Sequence, residues 1–413
     1  MKAHAFAFPF FGLLFGASLG LAAANNAADV KVDLKGVVDI GGTKIAYLEF
    51  APPIGGHSSV SLREGERMGE IELIKADLLQ RKVSARIGGE VRDLTFISEG
   101  PSGTLVEPSS PSQTTTNNVD LCLERMGLDQ VLDLYVDLAN RTVLRPSHLP
   151  TCEISLHTRR PISSVDLMNA IARVLMEKDI LIQPHEQKFL VVARDGDANL
   201  LAPEVKAASD KIASSLTHAP GSDPGELLPP GMINLQNTDM AQVIQIYADL
   251  TGRIVCRPST MPSTPVKLLT SNPLNRSEAI YSLTATLALN GVSVLPAGER
   301  FVFVFPAAQR SLAAEILARK PAAIAAGTNS IPAGWINLNV APLGMVAQLY
   351  REMSGHELEL ESGLPDVRIQ FRNQAPLTPA EVLQGFEFAL GWNQLVIEKK
   401  ENKFILKRAG ALR

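Results

Sequence analysis

One pattern is written three times in this chain. "LCLERMGLDQVLDLYVDLANRTVLRPS" at 121–147, "INLQNTDMAQVIQIYADLTGRIVCRPS" at 233–259 and "INLNVAPLGMVAQLYREMSGHELELES" at 336–362 share a spacing of aliphatic residues, a tyrosine and a following turn. A shift of 112 residues carries Tyr135 onto Tyr247, Pro150 onto Pro262, Pro161 onto Pro273 and Phe189 onto Phe301 without a gap. A further shift of 103 carries Tyr247 onto Tyr350, Gly252 onto Gly355, Pro273 onto Pro376 and Phe301 onto Phe404. Register held twice over about 75 residues marks a duplicated small fold, and such repetition favours a building block over a single active site.

Each copy reads strand, helix, strand, strand, helix, strand, strand. In the middle copy Ile233 and Leu235 alternate as a strand does; then Met240, Val243, Ile244, Tyr247 and Leu250 fall on one helical face, and Gly252 stands where a left-handed stop is wanted. "RIVCRPS" and "TPVKLLTS" form the next strands. The second helix opens on Asn275 with Glu278, or on Thr378 with Glu381 behind Pro379, both capping boxes, with Leu274 and Leu377 at the staple position. "VSVLPAG" and "RFVFVFP" close the copy as a hairpin. Two helices on one small sheet make a two-layer unit.

The chain divides accordingly into an apolar leader 1–24, a module 30–98, a linker 99–118, copy 1 at 119–194, a linker 195–231, copy 2 at 232–306, a helix with linker at 307–334 and copy 3 at 335–408. The linkers are rich in Ser, Thr, Pro and Gly and are expected to be extended and protease-sensitive apart from short helices in "PEVKAASDKIASSL" and "AAQRSLAAEILARK". Module 30–98 shows no helical period. "GVVDIGGTKIAYLEF" and "KVSARIGGEVRDLTF" are hairpins about Gly41-Gly42 and Gly88-Gly89, which predicts a barrel or sandwich of five to six strands. The fold class is therefore α+β: a small all-β barrel or sandwich followed by three tandem two-layer βαββαββ modules.

Lys2, the apolar run from Phe6 to Leu21 and Ala22-Ala23-Ala24 have the form of a cleaved signal peptide, so a periplasmic mature chain without a spanning segment is expected. The net charge of −4 offers no electrostatic footprint for nucleic acid. Three cysteines leave one unpaired. Strand parity turns Cys122 outward and Cys152 inward, which argues against a bridge, and Cys256 is expected as a lone exposed thiol.

The run Ile233-Asn234-Leu235 through "DMAQVIQIYADLTG", "PVKLLTSNPLNRSEAI" and "GVSVLPAGERFVFVFP" resembles the amino-terminal domain of type II secretion secretins and the short domain of TonB-dependent signalling receptors. One departure is Arg257-Pro258-Ser259, where the family more often has an acidic residue before the proline. Gly36-Val37-Val38, Ala46-Tyr47-Leu48, "LREGERMGEIELIKAD" and "VSARIGGEVRDLTF" are similar to the periplasmic homology-region domain of the type II secretion clamp protein and to a pilus-assembly lipoprotein domain. In those systems the barrel-like domain docks on the secretin's amino-terminal domain, so the resemblance implies that this chain holds both partners. No residues for a membrane-inserted pore domain follow Arg408, so a pore-forming secretin is not expected.

No catalytic, cofactor or metal constellation stands out. The seven histidines lie scattered, without His-Glu-x-x-His or Cys-x-x-Cys. Gly41-Gly42-Thr43-Lys44 lacks the upstream glycine of a phosphate loop, and Gly-x-Ser-x-Gly is missing. Asp137/Asp249 and Glu278/Glu381 read as solvated faces and caps. The repeated polar residues that remain are Arg141 and Arg145, matched by Arg253 and Arg257, which copy 3 replaces with His356 and Leu360; they are either local ion pairs or a contact surface that copies 1 and 2 share. The expected function is that of a non-enzymatic interaction or scaffold protein of a type II secretion-like or pilus-like apparatus, with no cofactor, whose partners are envelope secretion or pilus-assembly proteins, including a secretin or another copy of itself. A receptor-associated signalling module is the rival. A KH-like nucleic-acid binder would need a Gly-x-x-Gly clamp and a basic surface, and neither is evident.

Overall fold

The computed structural model describes residues 31–54, 57–78, 80–96, 104–106, 118–195, 201, 203–214, 227–319, 322, 329–400 and 403–410; the signal-like segment and most linker residues lie outside them. In chain order the elements of the amino-terminal module are β1 (Lys31–Ile40), β2 (Thr43–Ile54), β3 (His57–Arg63), β4 (Arg67–Met68), β5 (Ile71–Asp77), β6 (Lys82–Ile87) and β7 (Glu90–Thr95), with β8 (Thr104–Val106) beyond it. Copy 1 holds β9 (Asn118–Gly127), α1 (Leu128–Ala139), β10 (Thr142–Leu144), β11 (Glu153–Thr158), β12 (Ile162–Ser163), α2 (Ser164–Met176), β13 (Ile180–His185) and β14 (Phe189–Arg194). After α3 (Pro203–Ser214) and β15 (Leu227–Leu228), copy 2 has β16 (Asn234–Thr238), α4 (Met240–Thr251), β17 (Ile254–Cys256), β18 (Val266–Leu269), β19 (Leu274–Asn275), α5 (Arg276–Leu289), β20 (Val292–Ala297) and β21 (Phe301–Pro306). Following α6 (Arg310–Ala318), copy 3 has β22 (Asn337–Pro342), α7 (Leu343–Ser354), β23 (Leu358–Leu360), β24 (Arg368–Arg372), α8 (Pro379–Gly391), β25 (Leu395–Lys400) and β26 (Lys403–Arg408).

The protein is α+β, and all three copies carry the same order of main elements, with an isolated bridge of Leu377 to Ile331 in copy 3 in the place of the short strands β12 and β19. Each copy divides its strands between two sheets where one small sheet was expected, and in copy 1 the first of these is part of a larger sheet. Its first and third main strands pair antiparallel, as β16 with β18 and β22 with β24. Its second strand runs parallel to the last, which pairs antiparallel with the one before, giving the orders β10-β14-β13, β17-β21-β20 and β23-β26-β25. The local signals act as read: Asn275 with Glu278 and Thr378 with Glu381 form capping boxes, and left-handed residues Asn140, Gly252 and Gly355 end the first helices. A further repeated feature is a left-handed residue at one strand position, Arg125 (φ 49), Asn237 (φ 54) and Val340 (φ 59), where the pairing of β16 and β22 slips by a bulge.

The residues fall into two compact units, one of Met1–Met126 with Glu153–Ser164, the other of Gly127–Cys152 with Val165–Arg413. In the first, β3-β2-β1 and β4-β5-β6-β7 form a seven-stranded sandwich without closing a barrel, around Val37, Ala46, Leu48, Leu73, Val83 and Ala85. Both expected Gly-Gly hairpins are present, with Gly41 and Gly42 at φ 58 and 90 and Gly88 and Gly89 at φ 59 and 90. The β1 strand has a second neighbour: Gly36 to Ile40 pair antiparallel with Leu123 to Val119 of β9, so copy 1's opening strand continues the sandwich sheet. Gly36 is required there, because a Cβ would sit 2.6 Å from the Met126 Cε and 3.0 Å from a Leu123 methyl. Within the segment expected as a plain linker, β8 pairs parallel with β11.

In the second unit the copies stack. The strand β21 places Val302 and Val304 with its own copy's Tyr247 and Val243, and Phe301, Phe303 and Phe305 with the core of copy 3. Phe303 meets the rings of Phe388 and Trp392 at 4.9 and 5.2 Å, and Phe301 meets Phe388 at 5.5 Å. At Gly385 of α8 an added Cβ would overlap the Phe371 ring and stand 3.2 Å from Phe301, so this helix needs a glycine to lie between the two layers. The preceding junction has the same design, with Phe189, Val191 and Ala193 of β14 in the core of copy 2 and Phe189 edge-on to Tyr281 of α5 at 5.3 Å. Linker helices complete each junction. Ile212 of α3 joins the core of copy 2 and Ile316 of α6 that of copy 3, so part of the expected linker at 195–231 is packed. Covered from two sides, α5 is buried almost throughout, as an all-round buried helix must be.

Three residue-level expectations change. Cys122 is buried because β9 is covered on both faces, with Leu121 and Leu123 turned one way and Cys122 the other, into the sandwich core. Cys256 is 3% exposed for the same reason, lying with Ile254 and Phe303 on the face that copy 3 covers, while Cys152 is half-buried and all three thiols are free. Tyr247 and Tyr350 are fully buried, whereas Tyr135 is half-buried. The gapless match of Phe301 to Phe404 also fails. Ala297 pairs with Phe301 but Lys400 with Lys403, so copy 3 has one residue fewer between these strands. Its structural equivalents of Phe301, Val302 and Phe303 are Lys403, Phe404 and Ile405.

Candidate functional site

The four arginines singled out by repetition occupy different settings. Arg253 is 3% exposed and donates through Nη1 to the carbonyls of Gly298 and Phe301, at 2.9 and 3.1 Å, bolting its strand to the turn of its own copy. Burial lowers its pKa from the ordinary arginine value, with Tyr247 and Glu299 opposing. Arg257 is half-buried and lowered by burial in the same way, with Asp239 opposing. Arg145 pairs with Asp129 at 2.6 Å, and the same carboxylate accepts from Lys267 of copy 2. Arg141 is half-buried at the start of β10. Arg145 reaches a junction through Asp129, the carboxylate it shares with Lys267. Burial would raise the Asp129 pKa, but Arg145 and Lys267 outweigh it and hold the carboxyl below its usual range.

A junction motif escaped the sequence reading. Lys188, in the closing turn of copy 1, donates to Glu278 at 2.7 Å and to the Pro273 carbonyl at 2.9 Å. One repeat later, Arg300 stands at the same position, pairs with Glu381 at 3.4 Å and donates to the Pro376 carbonyl. The capping-box glutamate thus serves its own helix and also the basic residue of the preceding copy. The signal was in the shift of 112, which aligns Lys188 with Arg300, but a lysine–arginine match says nothing of its partner until the copies are stacked. At the first junction Thr142 also donates to Asn272 at 2.6 Å, and the Ser147 amide to Asn290 Oδ1 at 2.9 Å.

In the first unit, β9 carries the other contact. Cys122 lies in the sandwich core, and Glu124, almost fully buried, is paired by the Arg81 guanidinium, which also stands 5.0 Å over the Phe96 ring. The equivalents of Cys122 and Glu124 are Asn234 and Gln236 in copy 2, Asn337 and Asn339 in copy 3. Copies 2 and 3 thus have amide side chains where copy 1 makes these two contacts.

Among the described residues no cluster of His, Cys, Asp or Glu could hold a metal. A cavity of about 380 Å³ is lined by His148, Thr284, Ser293, Leu295, Phe305 and Arg310 among others, and a second of about 410 Å³ by Ile331, Pro332, Trp335, Glu352, Met353 and Pro379 among others. Glu278 and Glu381 are engaged in caps and junctions, and Asp249 accepts from Gln245 at 2.8 Å along its helix. In comparisons with known proteins, no family model, curated protein or solved structure matches this chain.

Proposed function

We propose that this chain is a non-catalytic interaction protein of the bacterial envelope, exported to the periplasm and acting in a type II secretion-like or pilus-like apparatus. The observation that carries the reading is the pairing of Gly36–Ile40 with Val119–Leu123. It joins in one sheet the two kinds of module whose resemblances are to docking partners in such machines. The repeated junctions add support, since apolar faces and basic hairpin turns are used here to dock one folded module on the next. Cross-linked affinity capture of the tagged full chain from periplasm tests the proposal. Recovery of an envelope secretion or pilus-assembly protein is expected. Recovery of a TonB-linked receptor with its regulator would move the reading to signalling, and exclusive recovery of cytosolic proteins would overturn it.

A further inference from the structure

We infer that the outer edge of β22 in copy 3 is a second strand-docking site, which receives an extended, acidic segment of another protein; the inference rests on the interaction reading above and names the surface. The argument begins with the corresponding edge of copy 1. There Val119–Leu123 are already paired with β1, and the neighbouring side chains Cys122 and Glu124 are covered. By sequence the equivalent five residues of copy 3 are Gly334–Leu338, of which Gly334 and Trp335 form a turn closed by the Trp335 amide on the Pro332 carbonyl at 3.3 Å; among the described residues β22, which begins at Asn337, pairs only with β24, on its other edge.

The main chain faces the right way. Gly334 N donates to the Asn373 carbonyl and Asn373 N to the Ile336 carbonyl, at 2.7 and 3.1 Å, so the groups of residues 334 and 336 are spent on the β24 side. By the alternation of a strand, the donor and acceptor of Asn337 point to the open edge. An unpaired donor and acceptor on a strand edge are a template for another strand.

The side chains define the occupant. Trp335, in the turn that leads into the strand, is 78% exposed, where copy 1 has Asp120 and copy 2 has Met232. Arg372, opposite Asn337 in the pairing register, is exposed, and no ion pair is found for it among the described residues; copy 2 has Leu269 there. Arg368 on the same face is also exposed and pairs with the exposed Asp366 at 3.5 Å. Tryptophan and arginine are the residue types that dominate binding energy at interfaces. In copy 1 the carboxylate is on the copy, Glu124, and the guanidinium on the docked module, Arg81. Copy 3 has the neutral Asn339 in the place of Glu124 and carries Arg372 where copy 1 has His157, so the complementary segment is acidic.

The two tryptophans make the test direct, since Trp335 is exposed and Trp392 is 6% exposed. The probe is a synthetic peptide of residues 32–40, "VDLKGVVDI", which carries the strand that fills the copy 1 edge and has two aspartates to one lysine. Added to the full chain, it is expected to shield Trp335 from iodide quenching and to slow amide exchange in 334–338. The same peptide N-methylated at alternate residues should do neither. Asn337→Pro, which removes an outward donor and no inward one, and Arg372→Glu should each weaken binding about tenfold or more with unchanged thermal unfolding. Absence of shielding at millimolar peptide, or protection confined to 231–235 of copy 2, would overturn the assignment. If an envelope partner is captured equally well by the Arg372→Glu chain, this site falls and the general reading stands. If the peptide binds as described and no envelope partner is ever recovered, the reverse holds.

Discussion

Copies 2 and 3 close with nearly the same hairpin and use it for opposite purposes. In copy 2, Phe301, Phe303 and Phe305 turn away from their own helices and are buried by copy 3. In copy 3 the equivalent face shows Lys403, Ile405 and Lys407, with Lys403 paired to Glu359 and Lys407 to Glu398. One residue fewer between the strands makes the difference, because side chains alternate with period two and a slip of one exchanges the faces. The other end of the stack is finished in the same spirit. Where α5 offers Tyr281, Ala285 and Leu289 along the docking face, and α8 with the residue after it Phe388 and Trp392, α2 and the residue after it offer exposed Asn169, Arg173 and Glu177. Repeat arrays need polar outer faces on their terminal units, and this block has them at both ends.

The largest effect that tests this contrast comes from truncating one residue on each face. Phe303→Ala should cost about 3–5 kcal/mol, since it empties a site shared by two copies, whereas Ile405→Ala should cost under about 1 kcal/mol. Equal losses in chemical denaturation would show that the third sheet is covered after all. Next comes the inner face: Tyr247→Ala and Tyr350→Ala should each cost about 3–4 kcal/mol, and the half-buried Tyr135→Ala clearly less. A uniform loss across the three would mean that the copies are more alike than their burial indicates.

Alkaline titration gives a smaller effect. Burial pushes the Tyr247 hydroxyl up to about 12, with the Thr284 hydrogen bond and Arg253 opposing. A raised pKa in the folded state means that stability is intact below the unfolded value near 10 and falls as pH rises from there towards 12, by about 2–3 kcal/mol. Tyr247→Phe should flatten that part of the pH–stability curve; an unchanged slope would assign it elsewhere. The smallest effect is at the first junction. Asp129 has a depressed pKa, so its contribution is present above the unfolded carboxylate value and is lost as pH falls through the folded one. Asp129→Asn should lower stability at neutral pH slightly, within the few tenths typical of exposed pairs, and reduce the acid sensitivity of the copy 1–copy 2 junction. Lys267→Met should reproduce the change if the shared pair is its source.

The sequence by itself determined whatever depends on a few neighbouring residues. The threefold repeat, the Gly-Gly hairpins, the capping boxes of Asn275 and Thr378 and the left-handed stops at Gly252 and Gly355 are closed by bonds spanning three or four positions. Only the tertiary structure decided which strand faces are covered twice. Cys122, Cys256 and Phe303 each stand in a strand whose second face meets residues far along the chain, and alternation within a strand cannot reveal a remote layer. The same limit hid the junction role of Lys188 and Arg300 and the internal role of Arg253, whose partners are set by stacking and by a distant turn. Register between β25 and β26 lay beyond the gapless alignment because one missing residue barely disturbs a sequence match, yet it turns every side chain of a strand to the other face.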